Sequence, residues 1–221
     1  MELDNITLVV LNYKRFANIA KIVNYYSTKI KIHIINNNPT IIMKKPTHVE
    51  RVINNSKNKW CIERWHQAMN ITSDYICLLD DDLLVDIDSI EHLKNVAENN
   101  PHSLVGIYGK NNIETASCYE DLQDVWCVKK DVDIVVGSCI VTRTENIKSI
   151  YDTYIKPFGY ADRGDDILIS LSLSEKYNVK HKVEYAVVEM LPEGDVSLSD
   201  NPAHYKKRWD VIKSFRRIHK F

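Results

Sequence analysis

Three consecutive aspartates, Asp80, Asp81 and Asp82, end an apolar run that begins at Tyr75. In extended backbone alternate side chains share a face, so Asp80 and Asp82 point one way and Asp81 the other. Carboxylates this close repel one another, which disfavours ionisation. A divalent cation relieves that cost. Hard oxygen ligands select Mg²⁺ or Mn²⁺, ions that keep waters and bind phosphates. The triplet is therefore a candidate diphosphate-metal site. The bare Asp-x-Asp pattern recurs at 86–88 and 131–133. Only 80–82 directly follows a buried strand, the place where α/β sheets bind ligands. Asp86 and Asp88 suit the N-cap and first turn of the next helix, and Asp131 and Asp133 flank the start of a strand.

A second acidic pair, Asp165-Asp166, follows Arg163-Gly164 and opens a helix. Acidic residues there are commonly caps. The expectation is that Asp165 caps and orients while Asp166 does chemistry. Asn36-Asn37-Asn38-Pro39 suits a turn as well as a binding loop. A basic run from Lys206 to Lys220 alternates with Trp209, Ile212 and Phe215, so part of it is a packed helix face. His204 precedes it, as a surface histidine or a metal ligand.

The elements that position these groups read as α/β. Ile6–Asn12 is a buried strand, and Phe16, Ile19, Ala20, Val23 and Tyr26 recur at helical spacing. Ile30–Asn36 is a second strand. Strand, helix and strand in so short a span imply parallel pairing with a right-handed crossover. Further strands are expected at Val49–Ile53, Tyr75–Leu79, Leu104–Tyr108 and Val183–Val188, and a β-rich run at Asp133–Arg143 is interrupted at Gly137. Helices are expected over Lys59–Asn70, Ile87–Glu98, around Ile147–Tyr154 and from 165 onward. A last helix takes Pro202 in its first turn, with Asp200 or Asn201 as cap. Lys110–Lys130 is mixed and follows no period. The fold class is α/β: one Rossmann-like domain over 1–221, its central sheet mostly parallel and flanked by helices, its C-terminal half mixed. Ligands then belong in the loops after Leu11, Ile35, Leu79 and Val141.

The 221 residues allow one well-buried core. A net charge of -1 gives no electrostatic case for nucleic acid. The five cysteines form no C-x-x-C pair and read as reduced thiols, with a Cys118–Cys127 disulfide as the alternative. The N-terminus does not read as a signal peptide, and no run approaches the roughly 20 apolar residues of a membrane span. A cytoplasmic protein without a transmembrane segment is expected.

The succession LVVLNYKR, IHIINNNP, ERWHQAMNITSDYICLLDDDLLVD, DIVVGSCIVTRTENIKSIYDTYI and RGDDILISLSLSEKY resembles GT-A fold nucleotide-sugar glycosyltransferases, and among them the exostosin-like family. The resemblance spans roughly residues 5–215, and order and spacing carry it more than any one motif. It implies a nucleotide-binding half over about 1–100, and an acceptor-binding half with a closing C-terminal helix over about 101–221. It implies transfer from a nucleoside diphosphate sugar, with UDP and retention favoured, to a glycan or glycoprotein acceptor, with Mn²⁺ or Mg²⁺ as cofactor.

Residue by residue, it places Asn12, Tyr13 and Arg15 at the nucleoside and Asn36, Asn37 and Asn38 at uracil or ribose. Arg64 would reach a phosphate, or else is a solvated helix residue. Asp80 and Asp81 would face ribose and donor sugar, with Asp82, joined by Asp80 and His204, at the metal. Asp165 and Asp166 would sit near the anomeric carbon, and His204, Lys207 and Arg208 on the segment that closes over the diphosphate. The chain departs from the family where the acidic pair follows Arg163-Gly164 rather than Asn-Cys. A sugar-phosphate nucleotidyltransferase is the alternative enzyme. Its glycine-rich phosphate loop has no counterpart in Asn12-Tyr13-Lys14-Arg15. A non-catalytic glycan or nucleotide binder is the other alternative, and it would have no need of the 165–166 pair.

Overall fold

The computed structural model describes residues 3–159, 162–192 and 201–219. The chain opens as β1 (Leu3–Asn12), α1 (Phe16–Tyr26), β2 (Ile30–Asn36), β3 (Arg51–Asn54), α2 (Glu63–Ala68) and β4 (Tyr75–Asp80). It continues as β5 (Leu83–Val85), α3 (Ile87–Asn99), β6 (Val105–Gly106), β7 (Tyr108–Asn111), β8 (Gln123–Trp126), β9 (Lys130–Val132), β10 (Ile134–Val135) and β11 (Cys139–Arg143). Then come α4 (Thr144–Ile150), a π-helical turn (Tyr151–Ile155), α5 (Lys156–Phe158), α6 (Asp165–Tyr177), β12 (His181–Val183), β13 (Val188–Met190) and α7 (His204–His219).

The main sheet runs β3-β2-β1-β4-β11-β6-β12-β9. Pairing is parallel from β3 through β4 and mixed beyond it. Because side chains alternate along a strand, β1 sends Leu8 and Val10 to one face and Val9 to the other. On the first face Ile19, Ile22 and Tyr26 of α1 pack with Ile90 and Leu93 of α3. On the second, Trp65 of α2, Ile147 of α4, Ile169 of α6 and Phe215 of α7 fill the core. This is an α/β fold with a mixed, mostly parallel sheet between helical layers.

Asp86 caps α3 as expected, its Oδ1 accepting from Ser89 N at 2.5 Å. Several expected boundaries shift. Strands 104–108 and 133–143 each divide, because β7, β8 and β10 leave the main sheet for a separate antiparallel one. Val183–Val188 divides as well: β12 pairs in the main sheet while β13 pairs with β5. The helix expected over 59–70 is regular only at Glu63–Ala68, since Trp60 takes a positive φ of 61° ahead of it. The last helix starts at His204, with Asn201 Oδ1 accepting from Ala203 N at 2.9 Å. Asp200, the alternative cap, lies outside the described residues. All five cysteines are free thiols. Among the described residues no helix is long and apolar enough to cross a membrane.

Candidate active site

The carboxyl ends of β1, β2 and β4 lie level, with Leu11 beside Asp80 and Asn12 beside Asn36. The sequence expectation placed another ligand loop after Val141. Strand β11 instead runs antiparallel to β4, with Cys139 opposite Leu79. Its preceding segment, Val136-Gly137-Ser138, is therefore the part that reaches the same edge, and Ser138 O accepts from Asp80 N at 2.9 Å. A cleft of about 720 Å³ opens there.

Its floor alternates carboxylates with guanidiniums. Arg15 donates to Asp81 at 2.6 Å and to Asp82 at 2.9 Å. Arg64 bridges the two acidic groups, donating to Asp80 at 2.7 Å and to Asp165 at 3.3 Å. Arg64 is 3% exposed, which removes the solvated-helix reading. Gly137 makes room for it: a Cβ there would lie 2.4 Å from Nη2 of Arg64. Burial pushes the Asp80 carboxyl up to about 7, with Asp82 and Asp81 adding to the rise and Arg64 opposing it. Its side chain still keeps 38% exposure toward the cleft, so solvent weakens that shift.

Helix α6 starts from Gly164 in the left-handed conformation (φ 79°), and no side chain caps it. Asp165 is therefore not the cap that the sequence suggested. Its Oδ2 takes Trp65 Nε1 at 2.8 Å together with Arg64, so it fixes α2 against α6. Asp166 accepts from Gly137 N at 3.0 Å and from Arg208 at 2.8 Å through Oδ2, and from Ile167 N at 2.9 Å through Oδ1. Burial alone would raise its pKa. The Arg208 charge and hydrogen bond, then Arg64 and the Gly137 amide, hold it below the usual carboxylate range.

Arg208 also lies over the Tyr119 ring at 4.8 Å, and its Nε has no hydrogen-bond partner among the described residues. His204 Nδ1 accepts from Arg163 Nε at 3.2 Å. Burial first, then the charges of Arg208 and Arg163, hold His204 down at about 4. It is thus a neutral imidazole set between two cations. Lys207 pairs with Asp162 at the rim.

The cleft brings together Tyr13, Arg15, Asn37, Arg64, Asp80, Asp81, Asp82, Asp165, Asp166, His204 and Arg208. Asn12, Asn36 and Asn38 do not line it. They lie buried behind the wall, where Asn36 donates to Asn54 Oδ1 at 2.9 Å and Asn38 Oδ1 accepts from Thr40 N at 2.9 Å. Lys207 does not line it either. Sequence reasoning missed Trp60, Arg163, Tyr119, Asp124, Trp126 and Tyr205 on the walls. For Asp124 and Trp126 a signal existed, an acidic and an aromatic residue at strand spacing.

A metal would find hard oxygen donors at Asp80 and Asp82. Around the two acidic groups five carboxylates meet three guanidiniums. Among the described residues no group of three or more His, Cys, Asp or Glu is placed to hold a metal ion by itself. Mg²⁺-type sites often use one or two carboxylates and leave the rest to phosphate and water, so the donor set fits. His204 sits amid guanidiniums, surroundings that suit an anion better than a cation.

Comparison with known proteins places this geometry in context. The glycosyl transferase family 64 domain matches residues 6–221. No curated protein matches the chain. Among solved structures, the crystal structure of GalNAc-T7 with UDP, GalNAc and Mn²⁺ is similar, with a TM-score of 0.66 at 9% identity. The match covers 98% of this chain and 48% of that one, so this chain spans about half its length. At that identity the likeness establishes a shared GT-A fold.

Proposed function

Because the chain belongs to glycosyl transferase family 64, we propose that it transfers a sugar from a UDP-sugar to a hydroxyl of a glycan or glycoprotein acceptor, with retention and with Mn²⁺ or Mg²⁺ at the diphosphate. The observation that carries this reading is the Arg64 bridge, which joins the strand-end carboxylates to Asp165 in one cleft. Asp82 and Asp80 would hold the ion. Bound there, it would supply Lewis-acid stabilisation of the departing diphosphate. The similar fold was crystallised with UDP and Mn²⁺, which supports the choice of ligands. Tyr13, Arg15 and Asn37 are assigned to the nucleoside side. Arg208, Arg163 and His204 are assigned to the diphosphate, and Lys207 to the rim that closes over it.

Asp166 is assigned to electrostatic stabilisation of positive charge at the anomeric carbon. A general base works best with a pKa near the operating pH. Asp166 is held low, with both oxygens already accepting hydrogen bonds, which speaks against the base of an inverting reaction.

Thermal shift with UDP, GDP and ADP, each with Mn²⁺ or chelator, tests the reading. A ligand at 100 times its Kd stabilises by about 2.7 kcal/mol. UDP with Mn²⁺ should raise the melting temperature most, and Asp82→Asn should lose the Mn²⁺-dependent part. Equal UDP response with chelator, or no UDP response at all, would refute it.

A further inference from the structure

Beside the acidic floor, one cleft wall is a hairpin face. Strands β7 and β8 pair with Tyr108 opposite Trp126 and Lys110 opposite Asp124. Alternate residues share a face, and all four of these side chains line the cleft. Trp126 is 45% exposed, in a molecule that buries Trp65 completely. Tyr108 meets the indole at an angle of 61° with centroids 5.5 Å apart, which steadies the ring without covering it. Asp124 accepts from the Tyr108 hydroxyl and from Lys110 Nζ, the latter at 2.7 Å.

Those partners leave Asp124 oxygens facing out. Its side chain is 62% exposed, whereas that of Lys110 is 8% exposed. Lys110 also lies 5.0 Å over the Tyr119 ring, which Tyr205 and Arg208, the partner of Asp166, flank as well. An unbroken line of contacts thus runs from the open indole to the carboxylate assigned to the anomeric centre.

A flat, open indole with a carboxylate two residues away on the same strand face suits an amphipathic ligand. Pyranose rings offer such surfaces: polarised C–H bonds on one face and hydroxyl donors around the rim. The C–H face meets the negative face of the indole, and hydroxyls donate to the carboxylate. We propose that Trp126 and Asp124 form the acceptor subsite, and that it takes a neutral pyranose ring. The proposal rests on the glycosyl-transfer reading above. Neutrality follows from the charges. The Lys110 ammonium is buried against Asp124, so an acidic sugar would meet the exposed carboxylate rather than a free cation.

Saturation-transfer NMR on the whole chain, with UDP and Mn²⁺ present, tests this. The probes are methyl β-glucoside, methyl β-galactoside, methyl β-N-acetylglucosaminide and methyl β-glucuronide. At least one neutral glycoside should receive saturation on its C–H face, and the glucuronide at least about fivefold less. Trp126→Ala should abolish that transfer, and Trp126→Phe should keep part of it. Asp124→Asn should remove the bias against the glucuronide. The UDP dissociation constant, measured in parallel, should stay within about twofold in all three variants. Unchanged saturation in Trp126→Ala, glucuronide bound as well as the neutral probes, or no glycoside bound by the wild type overturns the subsite. A UDP constant weakened tenfold by Trp126→Ala also overturns it, since the indole would then serve the nucleotide. Failure of the wild type to bind UDP would instead count against the transferase reading itself.

Discussion

Asp166 is tied to three donors and shares a buried ion pair with Arg208. Such a carboxylate keeps its charge and its place, as electrostatic stabilisation requires. Asp166→Asn retains shape and removes charge. Turnover should fall by a factor on the order of 10² or more. It also leaves Arg208 buried without its counter-ion, which typically costs about 3–5 kcal/mol when one partner of a buried pair is removed. A melting curve therefore accompanies the kinetics, and a folded variant with near wild-type turnover would end the assignment. Asp165→Asn should act differently, because Asp165 holds Trp65 and Arg64. The aspartates were legible in the sequence because strand-end and helix-start positions announce themselves. Their division of labour was not, since it depends on Gly164 capping α6 and on an arginine that approaches from α7. The asparagines misled for a related reason: Asn36 and Asn38 suit both turns and binding loops, and here they satisfy buried backbone and one another.

At the scale of elements, the site depends on how closely β11 approaches α2. Gly137 is the contact: its missing Cβ is where Arg64 lies. Arg64 has little freedom to yield, being held by Asp80, Asp165 and the Gly137 carbonyl. Gly137→Ala should therefore displace the guanidinium and part Asp80 from Asp165. Misplacement by about 1 Å at a reacting centre can cost on the order of 10²-fold, and overpacking typically costs about 1–3 kcal/mol. We expect kcat to drop between about tenfold and a hundredfold, with a melting temperature a few degrees lower. Wild-type kcat in Gly137→Ala would show that the close approach is incidental. The first half of the fold was readable because parallel βαβ units have strong, regular periods. The region from Lys110 to Lys130 was not: β7, β8 and β10 are two to four residues long and pair across long intervals. No local pattern encodes such pairing, and the exposed aromatic wall was missed with it.

The whole molecule carries a pH dependence located outside the cleft. His181, on β12, is completely buried between the sheet and α6. Its Nδ1 accepts from Leu104 N at 3.1 Å and its Nε2 donates to Ser170 O at 2.8 Å, which defines a neutral tautomer. Burial lowers its pKa to about 4, with Lys180 and Lys182 acting in the same direction and the Ser170 carbonyl and Asp133 opposing. The unfolded chain therefore binds this proton first as pH falls. The contribution is complete above about 6.5 and is lost progressively between there and about 4, with a limiting slope of about 1.4 kcal/mol per pH unit and a total on the order of 3 kcal/mol. Other groups titrate in the same window. Asp80, raised to about 7, takes up its proton in the folded state first and so has the opposite sign. A comparison of two proteins isolates His181. His181→Gln keeps an amide donor near Ser170 O, cannot titrate, and leaves Leu104 N unpaired, at a cost of about 1–3 kcal/mol at neutral pH. Urea unfolding of both proteins at pH 7.5, 6, 5 and 4.5 should show the stability gap between them narrowing as the pH is lowered, because only the wild type loses the histidine contribution. A gap constant across the series would mean that the imidazole takes up its proton inside the fold at little cost, and that acid lability arises elsewhere.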